Sequence, residues 1–204
     1  MKLFLASSAS SLHHFSKKVY LPWKVVWFIS DAWEPYRGTE FWNLDWITQD
    51  KDFFKAQNCA VIEFSLKETD IASFLESIDI LHISGGSVWY VSQLLHIWNH
   101  AQLIQEYVIH KWLMYSGTSA WAMIAAHSVD MYVRYSGDSY EPKWESFPGL
   151  WLADFLIIPH ANQKESVSHW QSALSFLPEN QDSIISLKDG QAVWVEWESF
   201  NLLL

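Results

Sequence analysis

Short apolar runs alternate with amphipathic stretches from one end of the chain to the other, and no other feature restricts the fold as much. Strand-length runs without polar alternation belong to a sheet covered on both faces. The helix-length stretches between them supply the crossovers that a parallel sheet needs. Strands are expected at Lys2–Ala6, Lys24–Ser30, Cys59–Phe64, Ile80–Ser84, Leu113–Ser116, Phe155–Ile158 and Ala192–Val195. Helices are expected at about Ser11–Lys18, Trp46–Gln57, Thr69–Ser77, Val88–Leu95, Ala101–Lys111, Ala120–Ser128 and Glu165–Phe176. Residues Glu196–Ser199 and Phe200–Leu204 turn the last strand into a terminal hairpin. The stretch Arg134–Leu150, with Gly137, Pro142, Pro148 and Gly149, reads as a long loop, and such loops in compact domains usually serve function. No linker or repeat interrupts the 204 residues. The expected fold is α/β: a single three-layer domain over residues 1–204 with a mostly parallel sheet.

Half of the residues are hydrophobic and 18% are charged, which excludes a disordered chain. The formal net charge is −10, and the only arginines are Arg37 and Arg134, so a nucleic-acid partner is not expected. Cys59 is the single cysteine, which rules out an intrachain disulfide and a Cys-rich zinc site. It falls in an expected core strand, where an inert buried thiol is usual. The apolar run at Met1–Ala6 is too short for a secretory segment, and nothing approaches the ~18 apolar residues of a membrane span. A cytoplasmic protein is expected, as monomer or homodimer, with no membrane partner. His96 and His100 lie four apart on an expected helix, but an exposed polar face accounts for them, and neither metal nor cofactor is expected.

Three strand ends carry chemistry. In Leu113–Met123 an apolar strand runs through Gly117-Thr118-Ser119-Ala120 into an apolar helix. A nucleophile elbow needs this order, because the serine must stand on a sharp turn with its Oγ exposed at the sheet's C-terminal edge. A Ser-rich helix cap would look the same in isolation. The run Leu81–Ser84 ends in Gly85-Gly86 before another helix, so backbone N–H groups can face the crevice above the sheet. Such donors hold a developing oxyanion, although a Gly-Gly turn can also be a plain connection. Phe155–Ile158 delivers Pro159-His160 to the edge where open α/β sheets bind ligands. A histidine so placed also needs an acid to fix its tautomer. Between Ser119 and His160 the candidates are Asp130, Asp138, Glu141, Glu145 and Asp154. Asp154 begins the histidine's own strand, and Asp130 falls where the helix after the elbow should end. Asp138, in the irregular loop, is preferred, with Glu141 second.

In this order, Gly85-Gly86-Ser87-Val88-Trp89-Tyr90, Gly117-Thr118-Ser119-Ala120 and Pro159-His160 resemble peptidase E, the aspartyl dipeptidases of the S51 serine peptidases. That family's blocks are Gly-Gly-Asn-Thr-Phe-Tyr and Gly-x-Ser-Ala-Gly-Ala, and the similarity covers most of the chain. The resemblance implies a class I glutamine amidotransferase-like (flavodoxin-like) fold and hydrolysis of small peptides that begin with aspartate. It makes Ser119 the nucleophile, His160 the base and Asp138 the acid. Gly86 and Ala120 become oxyanion donors, and Arg134 a candidate for the substrate's acidic side chain, since a guanidinium can pair a carboxylate bidentately. Two other readings stay open. One is an amidotransferase-like binding module without catalysis, and the other an S51-type hydrolase resembling cyanophycinase.

Composition then returns. At ~7% average usage about 14 glycines would be expected, yet there are 7, against 14 tryptophans. Trp121 stands at the elbow position that the family fills with glycine. Trp23, Trp33, Trp112, Trp151 and Trp197 fall at strand borders, a helix end and turns, where glycine's freedom in φ is useful. Many of these positions are expected to be UGA codons, which some uncultured bacterial lineages read as glycine.

Overall fold

Leu3 and Leu5 point to one side of strand β1 (Lys2–Ala6), Phe4 and Ala6 point to the other, and all four are fully buried. With side chains alternating across a strand, this burial requires a covered sheet on both faces. The computed structural model describes residues 1–15, 19, 21–39, 44–68, 70–135, 146–164, 183–197 and 199–204. The sheet also contains β2 (Val25–Ile29), β3 (Ala60–Phe64), β4 (Ile80–Ile83), β5 (Met114–Thr118), β8 (Ala192–Glu196) and β9 (Ser199–Leu203). Its order is β3-β2-β4-β5-β1-β8-β9. The first five run parallel, and β8 and β9 form the antiparallel terminal hairpin. The expected mostly parallel α/β sheet is therefore present.

One core cluster joins Leu3, Leu5, Leu81, Ile83 and Tyr115 to α4 (Val88–Ile97), α5 (His100–His110) and α6 (Ala120–Met123). The opposite cluster joins Phe4, Ile80 and Met114 to Leu12 of α1 (Ala9–His14) and to Phe53 and Phe54 of α2 (Leu44–Ala56). Strands β1, β2, β4, β5 and β8 divide their residues between the two clusters, which gives the three layers. A short α3 (Ala72–Leu75) and a 3₁₀ turn (Asp31–Tyr36) complete the crossovers.

Several expectations need correction. His160 does not end a strand of the main sheet: β6 (Phe155–Ile158) pairs in parallel with β7 (Ser183–Ser186) in a separate two-stranded sheet. The helix after the elbow spans only Ala120–Met123. Asp130 does not close it but opens α7 (Asp130–Tyr135), so the start of the presumed long loop is helical. His100 is buried, not exposed, with Nε2 against the carbonyls of Leu66 and Glu68. The helix placed at Glu165–Phe176 lies outside the described residues. Cys59 is buried, its Sγ donates to the Leu21 carbonyl, and burial pushes the thiol pKa up.

Among the described residues eight non-glycine residues hold positive φ, and four of them are Trp23, Trp112, Trp151 and Trp197, at 59°, 68°, 53° and 58°. The left-handed region is an outlier for a bulky side chain. All four positions were singled out for glycine by the sequence. Trp33 and Trp121 are not left-handed, but their buried indole Nε1 atoms have no hydrogen-bond partner among the described residues. Trp121 is fully buried beside Gly117, where a Cβ would stand 2.7 Å from the Trp121 carbonyl carbon. The core takes up the Trp121 ring at the position that the family fills with glycine.

Candidate active site

Strand β5 stops because Ser119 turns to φ 53°, ψ −115°, between the strand and the first turn of α6. The Ser119 N–H is held by the Ala6 carbonyl at the end of neighbouring β1. Strained backbone over-determined by its surroundings is what an elbow requires. Gly117 permits it, since only a residue without a side chain lets β5 and α6 approach this closely. Ala120 opens α6, so its N–H belongs to the donors that a helix start leaves without an intrahelical acceptor.

Gly85-Gly86 follows β4, the neighbour of β5. Gly86 has φ +126°, and a Cβ there would lie 2.6 Å from the Ala32 backbone, so no other residue fits. A Cβ on Gly85 would lie 3.4 Å from Ser119 Cβ, which puts this loop directly against the elbow. The Gly85 N–H donates to Thr118 Oγ1 at 3.1 Å.

His160 reaches the same edge from β6. Its Nε2 lies 2.9 Å from Ser119 Oγ, and its Nδ1 lies 2.7 Å from Asp189 Oδ1. Burial alone would raise the Asp189 pKa. A hydrogen bond from Gln163, the charge and hydrogen bond of His160, and the Ser7 hydroxyl outweigh burial and hold it below the ordinary value. The Asp189 carboxylate can accept only from an Nδ1 that carries a proton, and in the neutral imidazole that tautomer leaves Nε2 to accept from Ser119. His160 is itself left-handed, at φ 57°, and its N–H donates to Ser7 Oγ at 2.9 Å. The Ser7 hydroxyl is also 3.2 Å from both the Leu187 carbonyl and Asp189 Oδ1. The Asp189 N–H donates to Asn162 Oδ1 at 2.8 Å.

The structure therefore brings Ser119, His160, Gly86 and Ala120 to one edge. It also brings Asp189, a residue outside the Ser119–His160 interval that holds all the acids named from the sequence, against His160. Asp138 and Glu141 lie outside the described residues, as does Glu145. Asp154 is exposed and pairs with His127, and Asp130 accepts the Phe147 N–H. Arg134 lies on α7, and only its backbone is described. A readable signal for Asp189 did exist: Asp189-Gly190 is a turn pair between apolar runs, and Gly190 has φ 91°. Among the described residues no group of three or more His, Cys, Asp or Glu side chains could hold a metal, and no helix is long and apolar enough to cross a membrane.

A serine on a strained elbow, a histidine within hydrogen-bond reach and a carboxylate behind it share the geometry of the Ser-His-acid class of hydrolases. The model of peptidase family S51 matches residues 24–203, and the chain belongs to this family. An uncharacterized peptidase of Pasteurella multocida (strain Pm70) is 34% identical over 115 residues, covering 54% of each chain. The match thus spans about half the length of that curated relative. A protein described as a peptidase E from Listeria monocytogenes EGD-e has the same fold, with a TM-score of 0.83 at 20% identity over 98% of this chain and 96% of that one. A peptidase from an acI-B1 Actinobacterium superposes with a TM-score of 0.64 at 17% identity, over 98% and 86% of the two chains.

Proposed function

We propose that this chain is a serine peptidase that hydrolyses small peptides with an N-terminal aspartate, with Ser119, His160 and Asp189 as its triad. The observation that carries this reading is the line from Ser119 Oγ to His160 Nε2 at 2.9 Å and from His160 Nδ1 to Asp189 at 2.7 Å. Membership of the S51 family supports the reaction class. Ser119 Oγ attacks the scissile carbonyl while His160 Nε2 takes its proton. The N–H groups of Gly86 and Ala120 receive the oxyanion. His160 then protonates the leaving amine, and water releases the acyl group by the same steps in reverse order. Asp189 keeps the imidazole in the accepting tautomer and stabilises the imidazolium. Aspartate preference and the part of Arg134 in it rest on the likeness to peptidase E. A cytoplasmic monomer or homodimer working without a cofactor fits this reading.

The test is a dipeptide panel with Asp, Glu, Asn and Ala in first place, together with a fluorophosphonate probe. Release of free aspartate, labelling at Ser119 and loss of both in Ser119→Ala are expected. Turnover that survives in Ser119→Ala removes this serine from the mechanism. Labelling without turnover of any dipeptide leaves a reactive site with a different substrate, such as an aspartyl-containing polymer.

A further inference from the structure

Beneath the elbow lies a polar cluster that the triad does not use. Asp50 of α2, His82 of β4, and Ser116 and Thr118 of β5 are all buried on the face of the sheet that is otherwise packed with Phe28, Phe53 and Phe54. The Thr118 hydroxyl donates to Asp50 Oδ2 at 2.9 Å, while Thr118 Oγ1 accepts the Gly85 N–H at 3.1 Å. His82 Nε2 stands 3.4 Å from the same Asp50 oxygen, and its Nδ1 lies 3.0 Å from Ser116 Oγ. The His82 ring is fixed between those of Phe54 and Phe28, at 4.8 Å and 5.3 Å. Asp50 Oδ1 is buried without a partner among the described residues.

Burying a carboxyl group with one oxygen unpaired is costly, and a core of apolar side chains would serve stability better. A strand-end threonine next to a helix start would ordinarily cap that helix. Thr118 does not: its two bonds run sideways to the neighbouring strand end and down to α2. The first of these bonds holds the loop that carries Gly86, and the second ties the same hydroxyl to Asp50.

We propose that Thr118 is a positioning residue, which clamps the Gly85-Gly86 oxyanion loop to the strand of the nucleophile and is itself anchored by the buried Asp50. Fixing the Gly85 N–H fixes the peptide next to that of Gly86, and so the direction of the Gly86 donor. One side chain adjoining Ser119 thereby sets both the nucleophile and the site that receives the charge. The chain N–H to O–H to carboxyl is a relay of aligned dipoles, which strengthen one another in a buried setting. This inference rests on the serine peptidase reading above.

The experiment compares Thr118→Val, which keeps the shape and loses the hydroxyl, with Thr118→Ser, which keeps the hydroxyl. Concentrations of active site are titrated with the fluorophosphonate, so unfolded protein does not enter the rates. Loss of a whole oxyanion donor costs about 10²–10³-fold in kcat. Misdirecting one is expected to cost Thr118→Val about 10–100-fold in kcat with little change in KM. Affinity for a peptide boronate, which binds as a tetrahedral adduct, should fall in parallel, and Thr118→Ser should stay near the parent in both. A kcat per titrated site equal to the parent's in Thr118→Val, or a loss confined to KM, overturns the proposal. If Thr118→Val does not fold, Asp50→Asn, with its weaker acceptor, should still lower kcat severalfold, and an unchanged kcat there overturns it as well. Hydrogen exchange of the Gly85 amide separates this proposal from the reading beneath it. In a parent that is not labelled at Ser119, faster Gly85 exchange in Thr118→Val than in Thr118→Ser keeps the clamp while the peptidase reading falls. Equal exchange rates remove the clamp.

Discussion

Replacing Trp23, Trp112, Trp151 and Trp197 together by glycine is expected to stabilise this protein, against the usual sign for deleting aromatic rings. All four hold φ between 53° and 68°. A β-carbon in that region costs roughly 1–2 kcal/mol per residue. Glycine removes this cost but loses about 0.5–1 kcal/mol through the greater entropy of the unfolded chain. The balance is about 0.5–1 kcal/mol per site, or about 2–4 kcal/mol for four sites taken as additive. Little burial is lost, because the rings are 77%, 65%, 57% and 54% exposed in sequence order. Two ring contacts work against the gain. Trp112 meets Trp197 edge-on at 4.4 Å, and Trp151 stacks on His127 at 4.2 Å. At such exposed positions each is worth about 0.5 kcal/mol, the low end for aromatic pairs. A net gain of about 1–3 kcal/mol remains, and a protein of this size gains about 2–4 °C in Tm for each kcal/mol. Urea unfolding followed by far-ultraviolet circular dichroism measures it without relying on tryptophan emission. Trp46→Gly is the control: Trp46 is also exposed but sits in the regular helix α2, so glycine there should only destabilise. A quadruple variant less stable than the parent would refute the conformational argument. The source gene gives a second check, since UGG at all 14 tryptophan codons ends the decoding explanation.

Other expectations concern the site. Asp189→Asn should lower kcat by about 10⁴-fold, because an amide beside Nδ1 favours the wrong tautomer. Asp138→Asn should stay within a few-fold of the parent, and the reverse pattern would return the acid to the irregular loop. The folded-state pKa of Asp189 is lowered, so its contribution to stability is complete above the unfolded value of about 3.9 and disappears as pH falls through the folded one. The difference in urea midpoint between the parent and Asp189→Asn should therefore be steady from pH 7 to 5 and shrink below about pH 4. A difference that grows with acidity contradicts the sign. Ser7→Ala removes the acceptor for the His160 N–H and a donor near Asp189. It should reduce kcat by about tenfold with KM nearly unchanged; an equal rate per titrated site would leave Ser7 a purely structural group.

The sheet was legible because burial on both faces imposes a simple rule on sequence. Runs such as Ile80-Leu81-His82-Ile83 are buried at every position, and no amphipathic helix produces that pattern. β7 was not legible, since Ser183-Ile184-Ile185-Ser186 is largely exposed and among the described residues pairs only with β6. The separate β6–β7 sheet was missed for the same reason. A strand-length run reports that it is covered, not which neighbour it joins. The tryptophan positions were legible through turn chemistry, which depends on φ at single residues, and four of the six named positions are left-handed.

The site divides along the same line. Ser119 and Gly86 are fixed by their immediate neighbours: a strand, a turn of forbidden φ and a helix start within a few residues. Local sequence therefore carries them. Asp189 meets His160 in a contact across 29 residues, and the Ser7 hydroxyl accepts the His160 N–H across 153. Nothing local demands an acid at position 189, because the same Asp-Gly pair would serve a turn with no partner at all. Chain order alone therefore does not point to Asp189, while Asp138 and Glu141 lie outside the described residues. Which strand ends lie side by side is stated only by the folded sheet, in which β1, β5 and β8 bring Ser7, Ser119 and the turn before Ala192 to a common edge.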